Sequence, residues 1–341
     1  SSNENWPYDW FEFCDFTAIT QDNIQAAVDL WVSDNASALS TYGPINSWDV
    51  SLITDMSGLF DGKTTFNDDI GNWDVSNVTN MYTMFMRAES FNQDIGSWDV
   101  SSVTNTLNMF YDAVSFNADI SDWDVSNVTD MRYMFYNSES FNQNLNDWDV
   151  SNVTTMILMF DQASAFNGDI SNWNVSNVID MRWMFRGASD FNQDISGWDV
   201  SSVTKMGGMF KDDIAFNQDI SGWDVSNVMD MNWMFYNSES FNQNLNDWDV
   251  SNVTNMQYMF SQATSFNGDL SSWDVSNVTD MSVMFNGASS FNGDLSSWDV
   301  SSVTNMENMF DGTDALSDAN KCAINASFSS NENWPYDWSE L

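Results

Sequence analysis

Residues 248–272 read WDVSNVTNMQYMFSQATSFNGDLSS. The same frame surrounds it on both sides: Trp-Asp-Val stands at Trp48, Trp73, Trp98, Trp123, Trp148, Trp198, Trp223, Trp248, Trp273 and Trp298, and Trp173-Asn174-Val175 fills the one gap. The spacing is 25 residues, eleven times, without an insertion. With the tryptophan as position 1, the unit is W-D-V-S-N-V-T-x-M-x-x-M-F-x-x-A-x-S-F-N-x-D-I-x-x. Self-similarity at such a period means stacked units, each burying against its neighbours a face it cannot bury alone.

Within a unit, positions 6, 9, 12, 13 and 16, four of them exemplified by Val103, Met109, Phe110 and Ala113, form a stripe of helical period. This predicts a short helix over positions 5 to 16, capped by Ser at position 4 or by the Asn or Ser that fills position 5 in ten units, Leu52 being the exception. Positions 19 to 23, such as Phe91-Asn92-Gln93-Asp94-Ile95, put Phe and Ile on one parity, as a strand does. One short parallel strand and one short helix per coil predict an α/β solenoid with a sheet along one side, extending about 50 Å at roughly 4.8 Å per coil. The Met, Phe, Val and Trp columns read as core rather than as a cofactor box. The Asn at position 20, Asn67 through Asn292, reads as an internal ladder satisfying backbone groups of the neighbouring turn. Ahead of the array, Thr20-Gln21-Asp22-Asn23 precedes Ile24, Ala27, Val28 and Trp31, an amphipathic helix placed to close the first coil. The expected division is a joint over residues 1–13, a helical cap over 14–43, eleven repeats over 44–318, and a C-terminal cap and joint over 319–341.

Charge and composition narrow the function. The 341 residues carry 50 Asp and Glu against 8 Lys and Arg, a formal charge of −42. Nucleic acid and anionic membrane surfaces are therefore poor partners. Hydrophobic residues at 43% and aromatics at 15% are far too much apolar material for an acidic disordered tail. No apolar run of bilayer-spanning length occurs, so no membrane insertion is expected. The absence of His removes His-based triads and the commonest zinc ligand. The opening Ser1-Ser2-Asn3 resembles neither an initiator Met nor a signal peptide, as expected of a mature or excised segment.

A second period is longer. Ser1 to Trp10, SSNENWPYDW, reappears letter for letter as Ser329 to Trp338, a displacement of 328 residues; the copies then diverge, Phe11 against Ser339 and Phe13 against Leu341. This reads as one domain plus the overlap into the next, a cloning artefact being the alternative. Cys14 and Cys322 flank the array at opposite ends, too far apart to pair within one domain. Across a joint they would lie close, which predicts an inter-unit disulfide and an oxidising setting, two unpaired buried thiols being the alternative. Residues 134–154 recur as 234–254, a copy of four coils as a block.

Catalysis needs a unique constellation, and here nearly every carboxylate is one of a column, so no enzyme is expected and no catalytic residue is assigned. The columns at positions 2 and 22, represented by Asp74, Asp99, Asp94 and Asp119, are turn-forming residues or a weak calcium candidate; no other cofactor is expected. Sequons occur at Asn35, Asn77, Asn127, Asn152, Asn174, Asn252, Asn277 and Asn325. Five of them occupy position 5, where Asn177 and Asn227 persist without a sequon, so that column is structural first. Asn35 and Asn325 are the cleaner glycan candidates. On the variable positions, Tyr133, Trp183, Trp233 and Tyr258 at position 11, with Tyr111, Tyr136 and Tyr236 at position 14, form a ribbon. Either it is an exposed contact face for a partner or sugar, or the rings lie flat over the coil below.

The units FNQDISGWDVSSVTKMGGMF and FNGDLSSWDVSNVTDMSVMF resemble the repeats of the BspA-like leucine-rich-repeat surface proteins, over about residues 44–318. The leading AAVDLW and TYGPINSWDVS and the trailing CAINASF and SNENWPYDWS are similar to the caps of the algal members. The resemblance implies a leucine-rich-repeat-like solenoid, extracellular or on the cell surface, with an adhesive or structural role and no catalytic residues. Met, Phe, Trp and Val stand where Leu would dominate, which leaves both a straight stack and a horseshoe open. Together with the 328-residue overlap this predicts a structural subunit of an extracellular filament or surface coat whose partner is itself, end to end. The alternative is an adhesin recognising glycans or another protein through the aromatic face. Ice binding would want regular Thr ladders.

Overall fold

In each coil that has a successor, the amides at odd positions 11, 13 and 15, and at position 9 in every such coil but the one with Thr106, go to the next coil, while those at even positions 12, 14 and 16 stay at home. In residues 73–97, Met81 N, Thr83 N, Phe85 N and Arg87 N donate to Asn105 O, Leu107 O, Met109 O and Tyr111 O, all one coil ahead. Between them, Met84 N, Met86 N and Ala88 N close turns onto Met81 O, Thr83 O and Phe85 O. The alternation requires a left-handed residue at positions 11 and 15, and every coil has both, as at Thr83 (φ 52°) and Arg87 (φ 58°), or Gly58 (φ 66°) and Gly62 (φ 70°). The computed structural model that shows this describes residues 16–340.

The expected α/β solenoid is thereby overturned. Among the described residues no coil contains a strand, and no helix lies at positions 5 to 16 of any coil; the helices are α1 (Ile24–Ser33) and α2 (Asn35–Tyr42) ahead of the repeats and α3 (Asp318–Phe328), which starts at the tail of the last one, with one 3-10 turn at Ile45–Ser47. The periodicity misled for a physical reason. Turns closed between residues three apart, Val78 N to Val75 O, Met84 N to Met81 O, Ala88 N to Phe85 O and Phe91 N to Ala88 O, bring positions 6, 9, 12, 13 and 16 to one interior just as a helix would. What separates the two is where the amides go, and that partner lies 24 residues away. Ser at position 4 and Asn at position 5 accordingly cap no helix.

The predicted strand has the right parity and the wrong pairing. Phe91 and Ile95 are both fully buried, but Asn92 N donates to the side chain of Asn67, Oδ1 at 2.9 Å. The same bond repeats coil by coil up to Ser317 N on Asn292 Oδ1. An asparagine ladder thus replaces a backbone ladder, on the solvent side of the coil rather than internally. Among the described residues sheet-like pairing is confined to single-residue parallel bridges at position 8. They run Asp55–Asn80–Asn105 and again from Asp130 to Asn305; the step from Asn105 to Asp130 lacks one. There Thr106 replaces the usual Met and its Oγ1 is buried without a partner.

Three aromatic ladders form the core. Position 13 rings stack coil on coil, Phe85 to Phe110 at 5.5 Å; position 19 rings do the same, Phe91 to Phe116 at 6.1 Å; and within a coil the two sets meet, Phe110 to Phe116 at 3.9 Å. Each array Trp after the first donates its indole N–H to a position 23 carbonyl, or its equivalent, 28 residues back, as Trp173 does to Leu145 O at 2.7 Å. A buried N–H thereby meets its partner while the ring fills the core.

The first coil has no predecessor, and α1 supplies one. Ile24, Ala27, Val28 and Trp31 are buried against the array, as the amphipathic pattern predicts. Gln21 Oε1 accepts from Thr54 N and Asp55 N, both at 3.1 Å, and its Nε2 donates to Asp55 O. Trp31 meets Trp48 edge-on at 5.9 Å.

Candidate functional site

Six of the eight Lys and Arg residues fall in positions 8 to 15 of their coils: Arg87, Arg132, Arg182, Arg186, Lys205 and Lys211. This stretch also carries the aromatic ribbon. The left-handed backbone at position 11 aims the side chains: Tyr133, Trp183, Trp233 and Tyr258 have φ of 58°, 61°, 60° and 59°. A bulky residue there is strained by about 1–2 kcal/mol, held in place by the amides locked to the next coil.

The ribbon is two clusters with a charged link between them. Tyr111 and Tyr136 stack at 4.3 Å with Tyr133 beside both. Burial, followed by the neighbouring Tyr136 and Asp112, pushes the Tyr111 hydroxyl up to about 12. Farther along, Trp233 stacks on Tyr258 at 3.9 Å and tilts against Tyr236 at 4.9 Å, with Lys211 Nζ over both Trp233 and Tyr236 at 5.2 and 5.1 Å. Between the clusters the Arg186 guanidinium lies 5.5 Å over the Trp183 ring and its Nε donates to Asp161 Oδ1 at 2.8 Å. Its Nη2 is 2.6 Å from Asp161 Oδ2, without hydrogen-bond alignment. Asp161 is fully buried, and burial outweighs the arginine, raising its carboxyl to about 6.

The rings at position 11 are half-buried. Trp183 packs against the next coil: a Cβ at Gly208 would fall 1.9 Å from its Cε3. Ribbon and packing therefore coexist, the Trp183 ring being half-buried and close against Gly208. Arg132 and Arg182 grip Asp130 and Asp180, two residues before them, through paired bonds, and Arg87 spans back to Asp61. The result is a charge-compensated aromatic strip on an acidic molecule. The basic half of this strip was missed by the sequence reading, although sorting the cations by position would have found it.

Other candidates take structural places. Asp74 and Asp99 each accept from the Ser N and Oγ two residues on; Asp94 and Asp119 accept from Gly96 N and Ser121 N. The bonds from Ser101 and Ser121 lower the carboxyls of Asp99 and Asp119. Among the described residues no three acidic or Cys side chains converge to hold a metal. Asn77, Asn127, Asn152, Asn252 and Asn277 use Nδ2 to reach the position 4 carbonyl of the preceding coil, and so do the non-sequon Asn177 and Asn227. Asn174 takes the role of the position 2 Asp, accepting from Ser176. Asn35 is exposed at the start of α2, whereas Asn325, on α3, accepts from the Trp334 indole. Cys322 is exposed on α3; Cys14 lies outside the described residues, and so does the joint expected of the pair. No helix among the described residues is long and apolar enough to cross a membrane.

No curated protein matches the sequence. A family model does, three times in overlapping register over residues 31–148, 119–223 and 211–322, and its description is "Mycoplasma protein of unknown function, DUF285". Those matches span the whole coil array and the α2 helix ahead of it, so the chain, a tandem-repeat protein with a repeating aromatic ladder, belongs to the family described as Mycoplasma protein of unknown function, DUF285.

Proposed function

We propose that the chain is a structural module of an extracellular filament or cell-surface coat, its copies associating end to end. The observation that carries this reading is the uniformity of the axial bonding. Inter-coil backbone hydrogen bonds recur at the same positions through the array, and the aromatic ladders run from Trp48 to Phe310. Load along the stack axis is shared by bonds of one kind, as in a spacer or rod. Electron microscopy of the purified protein at rising concentration tests it. Filaments whose axial repeat matches one chain support the reading, and single particles at every concentration overturn it.

A second reading rests on the ribbon, a surface that binds a glycan by stacking on its aromatic faces. The concentration of cations and rings on one strip favours it. Replacing Trp183 and Trp233 by Ala should abolish retention on immobilised polysaccharide while leaving assembly intact. Loss of filaments instead would assign the strip to contacts between copies.

A further inference from the structure

Phe310 closes the ladder of position 13 rings. On one side it stacks on Phe285 at 5.6 Å. Where a twelfth coil would lie, it meets Trp334, Tyr336 and Trp338 at 6.2, 6.1 and 5.7 Å. The polar groups follow the same substitution. Phe285 N donates to the next coil at Met309 O; Phe310 N, with no next coil, donates to the Tyr336 hydroxyl at 2.8 Å, which in turn donates to Asp311 Oδ1 at 2.9 Å. Asn331 Nδ2 satisfies Val300 O and Val303 O at 2.7 and 2.9 Å. The segment Ser329–Trp338 therefore stands in for a coil, covering the open end of the ladders with rings and pairing its orphan backbone groups.

Residues 1–10 are the same ten letters, with Asn3, Trp6, Tyr8 and Trp10 at the places of Asn331, Trp334, Tyr336 and Trp338. We propose that residues 1–10 of one copy occupy the end seat of a second copy, exchanging with that copy's own Ser329–Trp338, so that the joint between copies is a swap of identical caps. The inference rests on the end-to-end reading above and names its contact. Because the two segments offer the seat the same groups, exchange costs no contact energy. It is opposed only by the higher effective concentration of the tethered cap, about millimolar for a short linker. The wild-type chain should therefore exchange only when concentrated, and weakening its own cap should tip the balance.

The test uses the full chain. In W334A/Y336A/W338A the resident cap loses its rings while residues 1–10 keep theirs. Sedimentation velocity should show oligomers that grow with concentration, and an excess of the synthetic peptide of residues 1–10 should return them to monomer. Adding W6A/Y8A/W10A to that variant should also give monomer. A folded triple variant that stays monomeric and binds no peptide overturns the proposal. Should the triple variant not fold, Y336F keeps every ring and removes only the hydroxyl that receives Phe310 N. The labelled peptide should then bind Y336F about tenfold more tightly than wild type, and a peptide carrying Tyr8→Phe should lose that advantage; equal binding to all overturns the proposal. Filaments formed equally well by W6A/Y8A/W10A would sink the exchange and leave the filament reading intact. Closed dimers held by exchanged caps would do the reverse.

Discussion

Replacing Asp213 by Ser should stabilise the protein, more at neutral pH than in acid. Asp213 sits at position 16, which elsewhere is mostly Ala or Ser, and is fully buried. Its Oδ1 accepts weakly from Ala215 N and Phe216 N at 3.3 and 3.2 Å, while Oδ2 has no partner. Two sister coils show what Ser does there: Ser138 Oγ donates to Phe110 O and Ser238 Oγ to Phe210 O, both at 2.7 Å, with Phe141 N and Phe241 N closing onto the Ser carbonyls. At 213 the equivalent acceptor is Phe185 O. Gaining that bond contributes about 1 kcal/mol, and removing an orphaned buried oxygen about 1–3 kcal/mol; losing two long bonds offsets part of the sum. We expect a net gain of about 2 kcal/mol at pH 7. Burial, with a smaller contribution from Asp190, raises the Asp213 carboxyl well above its ordinary value. The ionisation part of the wild-type penalty therefore fades as pH falls through about 4, where the unfolded carboxyl takes up its proton as well. It grows as pH rises toward the folded-state value and is full above it. Urea unfolding followed by near-ultraviolet circular dichroism at pH 4 and pH 7.5 reads both ends. A variant less stable than wild type at pH 7.5, or one whose advantage does not shrink at pH 4, would refute the reasoning.

Thr106→Met restores the array's usual residue where an Oγ1 is orphaned and the bridge between Asn105 and Asp130 is lacking; thermal melts should show a gain of about 1–3 kcal/mol, and slower amide exchange at Asp130 would locate it. Gly208→Ala drives a methyl into the Trp183 ring and should cost about 1–3 kcal/mol, whereas Gly222→Ala, with nothing nearby, serves as the neutral control. Asn167→Ala removes the acceptor for Asn192 N and Gln193 Nε2; a loss of about 1 kcal/mol in urea unfolding is expected at this exposed ladder, and no loss would show that water replaces the bond.

Which residues face inward was legible throughout. Val103, Met109, Phe110, Ala113 and the array Trp side chains are buried, and Ile24, Ala27, Val28 and Trp31 lie on α1 where the pattern placed them. The error lay in secondary structure. Over twelve residues a period of three from tandem turns and a period of 3.6 from a helix select the same positions. At positions 19 to 23 the strand parity was real, but its pairing passed through Asn67 and its column. The ribbon's aromatics were found in sequence, with packing over the neighbouring coil as one of two readings; that Trp183 packs on Gly208 in particular was not, since the contact joins residues a full coil apart.

The sequence alone determined the 25-residue coil, the number of coils, the core columns and the identity of the two end segments, because repetition forces equivalent residues into equivalent surroundings. Only the tertiary structure decided the partner of each amide. A backbone N–H carries the same chemistry whether it bonds within its own turn or to the next coil, and the alternation of the two goes with left-handed residues at positions 11 and 15. Tyr133, Trp183, Trp233 and Tyr258 are not residues that ask for such a backbone, and they adopt it because the coil stacked beyond them holds it.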